Sequence, residues 1–169
     1  MDDDELLVMV PKSMEAEDTL TWDPVLMPRP ETEQTHQYVP DPFLVNRIKH
    51  ELPKKDAVLF LALDFIATPV QEYAEQRPFF PRLALWVDGE SGLIAGNYTY
   101  APQNIWKEFQ ADFLELINKV GYIPESIGIN SPMGMEFMDV YGDLLDVDLV
   151  YAPEHPLFAE LRSTFQQFF

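Results

Sequence analysis

Cysteine is absent from the 169 residues. That excludes a disulfide framework, a thiolate metal site and a cysteine nucleophile, and it fits a reducing compartment. Basic side chains are few: 11 Lys and Arg stand against 29 Asp and Glu, for a formal net charge of −18. Nucleic-acid affinity rests largely on Lys and Arg neutralising phosphates, so direct nucleic-acid binding is not expected of this chain. Long apolar runs are missing as well, and nothing approaches the roughly 20 residues of a membrane span. Met1-Asp2-Asp3-Asp4-Glu5 is acidic where a signal peptide is basic, and the apolar run Leu6 to Val10 is too short for one. A cytoplasmic protein without membrane association is the expectation. His36, His50 and His155 are scattered, without metal-ligand spacing. There is no glycine-rich phosphate loop, no Gly-x-Ser-x-Gly, and no Ser-His-Asp set readable from spacing.

What is present is material for a core. Hydrophobic residues make up 47% of the chain and aromatics 13%, enough for one globular domain with some chain to spare. Charge divides the chain unevenly. Residues 1–41 hold 11 acidic and 2 basic side chains, residues 42–82 hold 5 and 6, and residues 83–169 hold 13 and 3. The acidic excess serves solubility, or it suits a basic protein partner.

Residues 1–55 read as an acidic, proline-rich N-terminal arm plus a short helix, and residues 56–169 as an α/β domain. Five prolines, from Pro11 to Pro40, make residues 1–40 look irregular. The apolar clusters Leu6 to Val10 and Trp22 with Val25 to Met27 are costly to leave wet, so the arm is expected to pack on the domain or on a partner. Asp41-Pro42 is a helix start, predicting a helix to about Leu52 with Phe43, Leu44 and Ile48 on one face. Ala57 to Ile66 is a nearly continuous apolar run, as in a strand buried on both sides. A polar, proline-containing connection reaches Pro81. Strands at Arg82 to Val87 and Leu93 to Thr99 flank a tight turn at Asp88 to Gly92, where Asp88 is expected to accept from the amides of Gly89 and Glu90. Pro102 is expected to open a helix whose face is Ile105, Phe109, Phe113, Leu116 and Val120, closed by Gly121. A strand at Ser126 to Ile129, a helix from Met133 to about Tyr141, a strand at Val147 to Tyr151 and a helix from Pro156 to Phe169 complete the chain. Asn130 and Ser131, before Pro132, fit a cap between strand and helix. The order β-β-β-α-β-α-β-α predicts a mixed five-stranded sheet with helices on its faces.

That order resembles the ribonuclease H-like fold, and three stretches carry the likeness. Leu61-Ala62-Leu63-Asp64-Phe65 is similar to the first strand of retroviral-integrase and transposase cores. Leu83 to Ile94, with its apolar run, Asp88, two residues and Ser91-Gly92, looks like their second strand, turn and third strand. Ser126-Ile127-Gly128-Ile129-Asn130-Ser131-Pro132 with Phe137 falls where that family has a strand ending in Thr-Asp-Asn-Gly with a Phe soon after. The closing helix, with Glu160-Leu161-Arg162, sits where the family places a catalytic Glu. The likeness covers roughly residues 56–169, and the pattern also resembles uncharacterised prokaryotic domains.

The resemblance implies three carboxylates holding two Mg²⁺ or Mn²⁺ ions, one activating water and the other the leaving oxygen. Asp64 matches the first position, Asn130 the second and Glu160 the third. Asn130 removes a unit of negative charge where two divalent ions would sit together; Glu136 is a nearby acid without a spacing argument. Asp64 also has a structural alternative, in which backbone or arginine contacts satisfy it. Three functions follow as expectations. The first is a non-catalytic binding or interaction protein on a degenerate scaffold, with a protein partner and no cofactor, working through the acidic C-terminal half or the arm with Trp22. The second is a metal-dependent nuclease or phosphoryl-transfer enzyme with Asp64 and Glu160 as ligands. The third is an acidic mimic of nucleic acid that occupies a nucleic-acid-binding protein.

Overall fold

The two apolar clusters near the N-terminus pair with each other. Glu5–Pro11 (β1) and Trp22–Pro28 (β2) form an antiparallel ribbon, with Leu7 opposite Leu26 and Val8 opposite Val25. These stretches are therefore strands, not irregular chain. A two-stranded ribbon has two free edges, and at a free edge Pro24 and Pro28 need not donate to a neighbour. Leu7, Val8, Val25, Leu26 and Met27 are all substantially exposed on it. The computed structural model describes residues 5–11, 22–28, 40–71 and 78–165. The rest of the expected irregular arm, His36, the side chain of Trp22 and the last four residues of the closing helix lie outside them.

The ribbon belongs to one compact unit, Met1–Gln37, and the α/β elements to another, Tyr38–Phe169. In the second unit Pro42–Glu51 (α1) precedes Lys54–Phe65 (β3), Arg82–Asp88 (β4) and Ile94–Tyr100 (β5). Ile105–Val120 (α2), Ile123–Ile129 (β6), Pro132–Leu145 (α3), Asp148–Tyr151 (β7) and Pro156–Phe165 (α4) follow. The sheet runs β5-β4-β3-β6-β7. β3 to β4 and β4 to β5 are antiparallel, and β3 to β6 and β6 to β7 are parallel. It is the expected mixed five-stranded sheet. No helix among the described residues is long and apolar enough to cross a membrane.

The apolar run of β3 lacks alternation because both its faces are covered. Leu59, Leu61 and Leu63 join the main core with Val45 and Ile48 of α1, the inner faces of α2 and α3, and Trp86. Trp86 stacks on Phe113 with ring centroids 5.4 Å apart. On the opposite face Phe60 and Ala62 pack with Leu83, Leu85, Phe158 and Leu161, under α4. Asp64 continues the parity of Phe60 and Ala62, so the strand delivers it to the α4 face at its C-terminal end.

Several helix details follow the expected chemistry, and one departs from it. Asp41 caps α1 by accepting from the Phe43 amide at 2.9 Å. Gly121 closes α2 at φ 78°, in the left-handed region that suits glycine. Phe43, however, is 87% exposed, and Val45 takes the inward place beside Ile48. Phe43 lies about 140° around the helix from Ile48, whereas Val45 is one turn below it. With Val45 and Ile48 in the main core, α1 belongs to the α/β unit. α3 runs a turn beyond Tyr141 because Leu145 is still buried, and it ends at Asp146 with φ 54°.

The turn after β4 is held as expected by Asp88, with the Glu90 amide contributing as foreseen but with Ser91 as the main donor. Its Oδ1 accepts from the Ser91 amide and the Ser91 hydroxyl, both at 2.7 Å, and its Oδ2 accepts from the Tyr122 hydroxyl at 2.9 Å. The Gly89 amide donates instead to the Val58 carbonyl on β3. The Ser91 amide, above all, holds the Asp88 carboxyl below its ordinary value. A depressed folded-state value means stability that is fully present above about pH 4 and is lost as the pH falls through that value. Asp88→Asn should therefore lower the thermal midpoint near neutral pH, with the gap to wild type closing in acid. A gap that does not change between about pH 7 and about pH 3 would show that the ionised carboxylate is not what holds the turn.

Gly128 on β6 allows the closest approach across the sheet face. A Cβ there would lie 2.6 Å from Cδ1 of Phe60, whose ring also faces His155 at 4.5 Å and Phe158 at 5.8 Å. Gly128→Ala should cost about 1–3 kcal/mol by overpacking, read as a lower urea midpoint with an unchanged denaturant slope. An unaltered midpoint would mean that Phe60 can move aside.

Candidate functional site

β3 and β6 are parallel neighbours with Leu61 opposite Ile129, so their C-terminal ends reach the same edge of the sheet. Asp64 and Asn130 sit just there. α4 crosses the same edge, and these segments, with Leu83 of β4, line a half-open cavity of about 260 Å³. Its walls are mostly hydrocarbon, from Ala62, Leu83, Phe158 and Leu161 among others. Asp64, Asn130 and Arg162 are its polar lining.

Asn130 is 6% exposed and is tied to β3 twice. Its amide donates to the Leu61 carbonyl at 3.3 Å, and its side-chain Oδ1 accepts from the Leu63 amide at 2.9 Å. The side chain thus stands in for the next strand carbonyl and extends the β3–β6 pairing by one step. Capping of α3 falls to Ser131, whose Oγ accepts from the Gly134 amide at 3.1 Å. The strand-to-helix junction is therefore shared, with Asn130 stitching the strands and Ser131 starting the helix.

Asp64 meets an arginine. Its Oδ2 lies 3.4 Å from Nε of Arg162, with both side chains about half exposed, at 55% and 50%. Arg82 is close as well, its guanidinium 3.8 Å from the centre of the Phe65 ring. Burial lowers the Arg82 guanidinium from its ordinary value, and the Asp64 charge opposes that shift. Of the two contacts that could satisfy Asp64 structurally, the arginine is the one present among the described residues.

Glu160 does not join Asp64 and Asn130. It is exposed on α4 and is not part of the cavity lining. Phe158, Leu161 and Arg162 are spaced three and four apart on the inward face, and Glu160 is about 160° from Arg162's side of the helix. The acid expected from the resemblance is thus turned away, and a cation two residues later takes the place beside Asp64. Glu136 is exposed on α3. Among the described residues no three His, Asp or Glu side chains form a group that could hold a metal ion. His155 packs its ring on Phe60, and His50 is exposed at the end of α1.

Arg162 and Arg82 are the residues that sequence reasoning missed. A signal for Arg162 was available, because Phe158 and Leu161 define a buried stripe and Arg162 extends it at a spacing of four. For Arg82 there was none, since its placement depends on the β3–β4 register that sets it opposite Phe65.

The two polar contacts should differ in energy. Asn130→Ala leaves the buried Leu63 amide without an acceptor and should cost about 1–3 kcal/mol. Arg162→Met breaks a half-exposed single-point ion pair and should cost less than about 1 kcal/mol. Urea unfolding of both variants checks this. A larger loss for Arg162→Met would make the ion pair, not the strand stitch, the main support of this edge.

No curated protein and no solved structure matches the chain. A family model matches residues 44–166, a span that begins in α1, takes in the whole five-stranded sheet with α2 and α3, and runs to the end of α4. The chain therefore belongs to the family described as Domain of unknown function (DUF6930).

Proposed function

We propose that this protein is a non-catalytic binding protein on a ribonuclease H-like scaffold, and that the cavity between β3, β6 and α4 is its binding site. Support for the scaffold comes from the strand order β5-β4-β3-β6-β7, with three antiparallel strands followed by two parallel ones and an acid at the end of the first. The reading rests on one observation, the Arg162 guanidinium 3.4 Å from Asp64. In a two-metal site the first carboxylate bridges or binds divalent cations, which supply the positive charge at the reacting phosphate. Here a fixed side-chain cation sits against that carboxylate, and it would repel an arriving metal ion. Asn130 adds to this, because its carbonyl oxygen already accepts from the Leu63 amide. The net charge of −18 disfavours a nucleic-acid substrate in the same direction.

A direct test incubates labelled single- and double-stranded DNA and RNA with the wild-type protein in millimolar Mg²⁺ or Mn²⁺, beside Asp64→Ala and Arg162→Ala. Hydrolysis by wild type should not exceed that by Asp64→Ala, and the thermal midpoint should show no Mn²⁺ shift that depends on Asp64. Metal-dependent cleavage that disappears in Asp64→Ala and survives in Arg162→Ala would replace this reading with the nuclease one.

A further inference from the structure

The polar groups around the cavity have hydrogen-bonding capacity of one kind left over. Asn130 commits its Oδ1 to the Leu63 amide, so its side-chain amino group remains as a donor. Arg162 touches Asp64 through Nε, and its two terminal amino groups make no hydrogen bond among the described residues. Arg82 lies over the Phe65 ring and is not part of the lining. What remains at the cavity are donors, and one of the two residues that bear them is permanently charged.

The charges of the lining do not oppose an anion. Among the described residues the lining carries Asp64 and Arg162, one charge of each sign, so the cavity has no excess of negative charge even in so acidic a chain. A ligand that accepts hydrogen bonds and donates none would satisfy the remaining donors of Arg162 and Asn130. An ionised carboxylate has those properties, and its two oxygens match the planar guanidinium fork. The rest of the cavity wants hydrocarbon, since Leu83, Phe158 and Leu161 line it. Its volume of about 260 Å³ equals the liquid share of roughly eight or nine water molecules. That is room for a ligand of the size of benzoate or hexanoate.

We propose that this cavity binds a small monocarboxylate with an apolar body, its head group on Arg162 and Asn130 and its hydrocarbon against Leu83, Phe158 and Leu161. The proposal rests on the binding-protein reading and names the ligand class for the same site. Asp64 acts as a positioning residue, holding the Arg162 side chain at the cavity.

The test is a titration of the full chain with benzoate, benzyl alcohol and benzylamine, followed by protein-observed NMR. These probes share a ring and differ in head group. Benzoate should saturate and bind at least about tenfold more tightly than benzyl alcohol, and Arg162→Met should weaken benzoate roughly ten- to hundredfold, as expected for a lost charge-assisted hydrogen bond. The same variant should leave benzyl alcohol binding unchanged, which separates a lost head-group contact from a damaged cavity. Equal binding of benzoate and benzyl alcohol, or tighter binding of benzylamine, overturns the carboxylate assignment while leaving a binding cavity in place. Absence of saturation by all three up to about 10 mM overturns the ligand class too. The binding-protein reading itself falls only if the chain also shows Asp64-dependent hydrolysis.

Discussion

The burial of β3 on both faces is the constraint on which the rest of the α/β unit depends. A strand covered on one side reads as alternation and can end anywhere along the sheet. β3 instead carries Leu59, Leu61 and Leu63 into the main core and Phe60 and Ala62 into the smaller cluster under α4. It must therefore lie in the middle, with β4 on one side and β6 on the other. Once it is central, its last residues emerge at an edge flanked by the end of β6 and crossed by α4. The position of Asp64 is a consequence of that packing. Ala62, packed under Phe158 and Leu161 of α4, lines the cavity beside it.

Two polar contacts at that edge have unlike physical roles. The Asn130 bond to the Leu63 amide is buried, and its removal strands a backbone donor away from water. The Arg162 contact with Asp64 is half exposed and made at one point, a geometry in which the Coulomb gain roughly offsets side-chain entropy. Stability accounts for the first and gives little reason for the second. An arginine held beside a carboxylate for so little stabilisation is better understood by what it presents to the cavity, and that is the basis for placing function there.

Most of the α/β unit was legible in the sequence because the periodicities and caps were unambiguous. The unbroken apolar run from Ala57, the three- and four-residue spacing from Ile105 to Leu116, Gly121 and the Asp41-Pro42 start each correspond to an observed element. Two kinds of feature were not legible. The β1–β2 ribbon was obscured by Pro24 and Pro28, which argue against a strand only where the strand must donate on both edges. The occupant of the place beside Asp64 was obscured by helix phase. Glu160 and Arg162 are two residues apart and lie on nearly opposite sides of α4, so a shift of that size exchanges an acid for a base. The resemblance implied an acid at this place; the stripe of Phe158 and Leu161 favours Arg162.

That exchange changes the electrostatics of the whole edge. With an acid inward, Asp64 and its partner would form a site needing outside cations for balance. With Arg162 inward, the Asp64 charge is balanced locally by a side chain of the protein itself. The net charge of −18 does not reverse this at close range. Charges further away than about 8 Å are largely screened at physiological ionic strength, and the low-dielectric walls of an apolar cavity strengthen the nearest ones. A small ligand in the proposed site would therefore respond first to Asp64 and Arg162, a balanced pair, and hardly at all to acidic side chains beyond that distance. An extended polyanion would instead bring many phosphates against the acidic surface together. On the proposed reading, discrimination between nucleic acid and a compact carboxylate is one of ligand size rather than of charge sign.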